Sequence, residues 1–401
     1  MPVSFMARQP IFDKDLRVYA YELLFRGGPE NFFRAVPNAS SSVIADSITL
    51  FDWQTLAGEA RAFVNVDEAA LHLGAARLLP PERVVIEILE TVSGTPEIVA
   101  ICRELRAAGY LLALDDFVDD PAVEPLVDLA RFLKVDFRLL DPAARERVAR
   151  KYSKEGLHLL AEKVESQQEL TEARRLGYTY FQGYFFCKPS MMRSGTIPPN
   201  KLIYLELLAA VTAPELNYTL IEEILKRERS LVYRLLRYLN SPLLGLRAEV
   251  RSVRHALSLL GENEFRRWVS VFSVMAMASG KPPELIRTAL SRAYFCEEIA
   301  APANLLQKGP SLFFVGLLSV TDALLDQRIA DVLRGLPIAQ EIKIALTGGE
   351  NPLRDVYRIL LALERADWPQ VSTYAERLHC SEDAIPTAYQ FALRKASAVS
   401  V

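Results

Sequence analysis

In the first half of the chain, apolar residues gather into short runs at 62–66, 84–89, 110–115, 132–136, 157–161 and 180–184, about 20 to 27 residues apart. Each run has the length of a strand, and helix-length segments lie between them, which is the interval a strand–helix unit needs. Ahead of them, Phe5 to Phe12 and Val18 to Phe25 are two further strand-like runs separated by the turn-rich Asp13-Lys14-Asp15, so the chain opens with an antiparallel hairpin. A hairpin followed by six such strands predicts a closed eight-stranded (β/α) barrel in which one strand is antiparallel.

The pattern changes after CKPSMMRSGTIPPN (187–200), where three prolines and a glycine interrupt the period. The expected boundary divides a barrel at 1–197 from a second domain at 198–401. From Lys201 onward apolar residues recur at helical spacing, as in Leu220, Ile221, Ile224, Leu225, Leu231, Val232, Leu235, Leu236 and Leu239, and strand alternation is missing. The fold class is therefore α/β plus all-α.

Several strand candidates carry a polar residue that an apolar run should not contain. Glu87 sits in the middle of VVIEILE (84–90), and Glu22, Asn65, Asp115, Asp116, Lys134 and Glu162 lie inside or at the ends of similar runs. A buried carboxylate costs several kcal/mol unless it is paired, hydrogen-bonded, metal-bound or protonated. Reacting groups in such barrels come from the C-terminal ends of several strands, so these scattered residues form one pocket. Glu22, Asn65, Glu87, Asp115 and Asp116 are hard oxygen donors suited to one or two Mg²⁺ or Mn²⁺ ions, with Lys134 as a positive charge and Glu162 as a base. That set points to phosphodiester hydrolysis. The competing reading is a group of buried structural ion pairs and helix caps.

Composition excludes several other classes. The 401 residues are half apolar and 24% charged, with a net charge of -3, so no overall field favours nucleic acid or a membrane surface. Cys102, Cys187, Cys296 and Cys380 are widely spaced and signal neither zinc nor disulfides. No signal peptide and no membrane-length apolar run is evident, and the expected location is the cytoplasm.

In order along the chain, YELLFR (21–26), FVNV (63–66), IEILE (86–90), LDDF (114–117), KVD (134–136), AEKVE (161–165) and QGYFFCKP (182–189) resemble the EAL domain of cyclic-di-GMP signalling. The resemblance implies a TIM-like barrel with Glu22, Asn65, Glu87, Asp115 and Asp116 as metal ligands, Lys134 and Glu162 as catalytic lysine and base, and Arg26, Glu90, Glu165 and Gln182 as supporting or nucleotide-contacting residues. Two departures stand out. Hydrolytic members continue the paired aspartates as DFGTGYSSL, whereas this chain reads DFVDDPAVEPL, placing Asp119 and Asp120 where added negative charge is expected beside the site. Lys163 also replaces the glycine of AEGVE.

The layout as a whole resembles the EAL-HDOD two-domain family, whose helical half has an HD-like fold without HD metal ligands. Only His255 and His379 lie in that half, and neither is followed by aspartate. Lys226, Arg227, Arg229, Arg234, Arg237, Arg247, Arg251 and Arg254 make its first part basic, and their spacing predicts one helix over 219–240 with Arg227, Arg234 and Arg237 on a common face. The resemblance implies a protein that binds cyclic-di-GMP through complete metal ligands and an altered loop, relaying to an unidentified protein partner of the HDOD domain. The alternative is an active phosphodiesterase producing pGpG. A homodimer is open, and neither a membrane nor a nucleic-acid partner is expected.

Overall fold

The computed structural model describes residues 4–27, 53–153, 156–187, 199–213, 215–227, 229–240, 249–334 and 336–399. The chain divides into two compact units, Met1–Phe185 with Ala362–Pro369, and Phe186–Leu361 with Gln370–Val401. The expected junction at 187–200 lies largely outside the described residues.

Eight strands close the first unit into a barrel in sequence order: β1 (Ser4–Phe12), β2 (Val18–Gly27), β3 (Arg61–Val66), β4 (Val84–Ile88), β5 (Leu111–Leu114), β6 (Phe132–Asp136), β7 (His158–Glu162) and β8 (Tyr180–Gln182). β1 runs antiparallel to both β2 and β8, while every other neighbouring pair is parallel. The expected fold, with one reversed strand, is the one observed. All five residues of β4 and of β6 are buried, because parallel strands covered by helices are enclosed on both faces.

Inside the barrel, side chains stack in layers. Ile11, Ala20, Phe63, Val85, Ala113, Phe132 and Leu160 form one apolar layer, with the rings of Phe63 and Phe132 in edge contact at 5.3 Å. Strand side chains alternate, so the next inward position lies two residues further along each parallel strand. Those positions are Glu22, Asn65, Glu87, Asp115, Lys134 and Glu162, joined by Gln182 of β8 and, because β1 is reversed, by Gln9. The strand period thus places a polar layer directly on an apolar floor.

The end of β7 is held in a defined path. Ser166 and Glu169 form a reciprocal capping box at the start of helix Gln167–Leu176, and the Glu169 carboxylate also accepts the Glu165 amide at 2.7 Å. Gly183, just after β8, has φ 140° and lies against the Val164 backbone so closely that any Cβ would collide with it.

In the second unit, the described residues contain helices and no strand. Helix Pro283–Glu298 packs on Gly309–Leu318 and Ala384–Ala398 to form its centre. Among the described residues no helix is long and apolar enough to cross a membrane. The single helix expected over 219–240 is two, Tyr218–Lys226 and Arg229–Leu239, with Arg227 as C-cap of the first. Arg227 therefore sits on a different helix from Arg234 and Arg237; the break interrupts the seven-residue spacing. Its guanidinium pairs with Glu206, Arg234 donates to the Tyr204 hydroxyl at 2.8 Å, and Arg254 donates to Glu222 at 2.7 Å. Carboxylates offset Arg227 and Arg254, whereas the tyrosine hydroxyl leaves the Arg234 charge in place; Arg247 and the Arg229 side chain lie outside the described residues.

Candidate metal centre

Lys134 is the hub of the polar layer. Its Nζ, 1% exposed, lies 3.5 Å from Glu22 Oε2, 2.9 Å from Asp115 Oδ1 and 2.8 Å from Glu162 Oε1, and it also donates to Glu87 Oε1. Burial alone would lower the lysine pKa, but these four carboxylates outweigh it and hold the pKa well above the usual value. Amides fix the Glu22 carboxylate from two sides: Gln182 Nε2 donates to Oε2 at 2.5 Å and Asn65 Nδ2 to Oε1 at 3.4 Å. Gln182 also donates to Gln9 Oε1 at 3.0 Å.

One ammonium cannot balance four buried carboxylates, which would leave -3 if all were ionised. Burial and mutual repulsion favour the protonated form of two of the four, Glu87 and Glu162. Burial, followed by the Glu22 field, pushes the Glu87 pKa well up, and burial does the same to Glu162; Lys134 opposes both. Asp115 titrates below its usual range because Lys134 and hydrogen bonds overcome its burial.

The donor set fits a divalent ion. Glu22, Glu87 and Glu162 offer oxygens within 4.8 Å of one another, and the buried oxygens Asn65 Oδ1, Glu87 Oε2 and Glu162 Oε2 have no hydrogen-bond partner. Oxygen-only ligands with excess negative charge suit a hard cation. A second group, Glu90, Asp115 and Asp116, meets the same 4.8 Å limit nearer solvent. Asp116 has φ 38°, and burial with the Asp115 field raises its pKa.

Of the supporting residues, Gln182 joins the buried layer and Glu90 the outer group. Glu165 is exposed and pairs with Arg138 at 3.4 Å, outside both groups. The Arg26 side chain lies outside the described residues. Sequence reasoning missed two participants, Gln9 and Asp136, and marked Lys163 only as a departure from glycine. Asp136 is two residues beyond Lys134 and buried on the same inward side, so strand parity carried its signal. Gln9 was hidden by the reversal of β1.

The loop after Asp116 differs from the expectation of added charge beside the site. The Phe117 amide donates to Lys134 O at 2.7 Å, and its ring meets Tyr152 edge-on at 5.1 Å. The Asp119 carboxylate binds Lys151 at 2.6 Å and the Tyr152 hydroxyl, while Asp120 Oδ1 accepts the Ala122 amide at 2.8 Å. Local partners capture both acids.

The described residues thus form an eight-stranded barrel with a carboxylate-rich layer that fits a divalent cation at its mouth, followed by a helical unit. The EAL domain description matches residues 5–189 and the HDOD domain description residues 197–335. The chain is 34% identical over 387 residues to the cyclic di-GMP phosphodiesterase CdgJ of Vibrio cholerae, covering 95% of this chain and 88% of that protein. It is 32% identical over 388 residues to the uncharacterized protein YuxH of Bacillus subtilis, covering 94% and 95% respectively. Among solved structures, the c-di-GMP complex of the PaMucR phosphodiesterase aligns with a TM-score of 0.40 at 18% identity, over 45% of this chain and 94% of that one. The chain belongs to the EAL-HDOD two-domain family of cyclic-di-GMP signalling proteins.

Proposed function

We propose that the barrel mouth binds cyclic-di-GMP together with one or two divalent ions, Mg²⁺ or Mn²⁺, and opens the phosphodiester only slowly to pGpG, so that ligand binding is the main output. The observation that supports ion binding is the buried excess of carboxylates around Lys134, with ligand oxygens left unpaired; slow turnover rests on the altered loop DFVDDPAVEPL after the paired aspartates. Glu22 and Glu87, whose oxygens lie within 4.8 Å of one another, would hold the inner ion with Asn65 and Asp115, and Asp115 and Asp116, with Glu90 beside them, would take the outer one. A bound divalent ion supplies charge neutralisation at phosphate and a more acidic water. Lys134 orients the inner carboxylates and offers positive charge to a phosphate oxygen. Glu162, held 2.8 Å from the Lys134 ammonium, accepts the proton of the attacking water. Gln182 supports the ligand residue Glu22, and Arg26 remains a candidate for the nucleotide, while Glu165, paired with Arg138, takes no such role. In this reading the domain boundary falls near 197 and the HDOD domain passes the state of the barrel to a protein partner.

The second reading, an ordinary phosphodiesterase, is favoured by the 34% identity to a protein named as one and by the local capture of Asp119 and Asp120. Calorimetric titration of the full chain with cyclic-di-GMP in Mn²⁺ or Mg²⁺, paired with chromatography of the product, separates the two. Binding with slow pGpG formation is the expected result. Turnover at or above about 1 s⁻¹, within the usual enzyme range, selects the second reading. No binding in either metal rejects both.

A further inference from the structure

Lys163 follows β7 with φ 52°, a conformation that ordinarily favours glycine and costs a lysine some backbone strain. Its ammonium is nonetheless held in place. Nζ donates to Asp136 Oδ2, and Asp136 is itself fixed because its Oδ1 accepts the amides of Arg138 at 2.5 Å and Leu139 at 3.1 Å. From that position Nζ lies 3.8 Å from Asp116 Oδ1, one of the three carboxylates of the outer group. The inner group has its own cation in Lys134; among the described residues Lys163 has no contact with Glu22 or Glu87, and it acts on the third member, Glu162, only through a weaker electrostatic attraction, behind those to Asp136 and Asp116.

We propose that Lys163 is a tethered counter-charge for the outer carboxylate group, weakening the binding of a second divalent ion there while leaving the inner ion unaffected. This rests on the metal part of the function proposed above. A unit charge within about 4 Å of an outer carboxylate both satisfies part of its charge and repels an arriving dication. The Lys163 side chain is 55% exposed, so water weakens this effect, but salt screens little at a separation well below the Debye length of about 8–10 Å. Because Asp136 anchors the ammonium from below, the lysine cannot swing aside without giving up that partner. Lys163 is thus a positioning residue that sets the ion stoichiometry of the mouth.

The test is Mn²⁺ titration of the full chain by calorimetry, with electron paramagnetic resonance to detect coupled ion pairs, for wild type and for Lys163→Gly, Lys163→Gln and Lys163→Arg. Wild type takes one ion tightly and a second at least about 10-fold more weakly. Lys163→Gly and Lys163→Gln tighten the second ion about 10-fold or more and give the coupled-pair signal, whereas Lys163→Arg stays like wild type. The glutamine variant separates charge from relief of backbone strain, and thermal unfolding checks that each variant is folded. Two equally tight ions in wild type, or an unchanged second ion in both neutral variants, overturns the inference while leaving the inner metal site standing. Failure of every protein to bind Mn²⁺ overturns the metal reading itself.

Discussion

Replacing Lys134 with methionine removes, among the described residues, the ammonium that contacts all four carboxylates, while keeping a side chain of similar length. The lysine side chain is 1% exposed, and its partners range from 0% at Glu87 to 17% at Asp115. Deleting one member of a buried ion pair costs about 3–5 kcal/mol, because the remaining charge is left uncompensated in a poorly polarisable interior. For a unit of this size 1 kcal/mol moves the midpoint by roughly 2–4 °C, so without divalent ions the barrel should melt roughly 6–20 °C lower. The loss should shrink at acidic pH, since Glu87 and Glu162 already take up protons readily. It should shrink too when Mn²⁺ is added, because the ion replaces the missing charge; at 100 times the dissociation constant binding alone contributes about 2.7 kcal/mol. Calorimetric melting at pH 8 in a chelator and in Mn²⁺ makes the comparison. A midpoint within about 3 °C of wild type in chelator, less than 1–2 kcal/mol on this scale, would refute the view that the carboxylates depend on this one cation.

Glu87→Gln keeps the shape of the central ligand but removes its charge, and should abolish tight divalent binding by calorimetry while leaving Lys134 an oxygen to pair with; retained affinity would remove Glu87 from the ligand set. The metal-free protein should lose stability as pH rises. Glu87 and Glu162 have folded-state pKa values above the ordinary 4.5, so the folded chain holds protons that the unfolded chain has already lost, and stability falls from the ordinary carboxylate range up through the raised values. Urea midpoints in chelator at pH 5, 6, 7 and 8 should decline, and a rising series would contradict the assignment. Gly183→Ala should cost at least about 3 kcal/mol in denaturant unfolding, because the new methyl meets the Val164 backbone. Gly58→Ala is the control: φ is also positive there but the space is open, so a loss of about 1 kcal/mol is expected.

The barrel was legible because its signal is periodic: apolar runs at βα spacing carry both the strand count and the order. The polar layer was legible for a thermodynamic reason, since Glu87 in an otherwise apolar strand demands compensation wherever that strand lies. What the sequence left hidden depends on three-dimensional closure. Gln9 meets Gln182 only because β1 returns against β8 to complete the barrel. Asp119 and Asp120 look like extra charge at the site until Lys151, Tyr152 and the Ala122 amide claim them. Heptad arithmetic placed Arg227 beside Arg234 by assuming an unbroken helix, and the chain ends one helix at Lys226 and starts another at Arg229. The departure at Lys163 was visible in sequence, but the reach of its ammonium to Asp136 was not.

The reversed first strand gives the barrel an unusual wiring. β1 reaches Gln9 from the mouth side, and its pairing with β2 continues outward from Gln9–Glu22 to Ser4–Gly27, five residues or roughly 16 Å beyond the polar layer. The hairpin turn at Asp13–Arg17 is at the opposite end, beneath the aromatic floor. A probe or affinity handle attached ahead of β1 is therefore expected on the mouth side of the barrel, where the proposed ligand would bind, and one inserted in the turn at the far end. For a biosensor built on this protein, a fluorophore joined to the start of β1 should report occupancy directly. The same dye at Lys14 should be silent and serve as the internal reference.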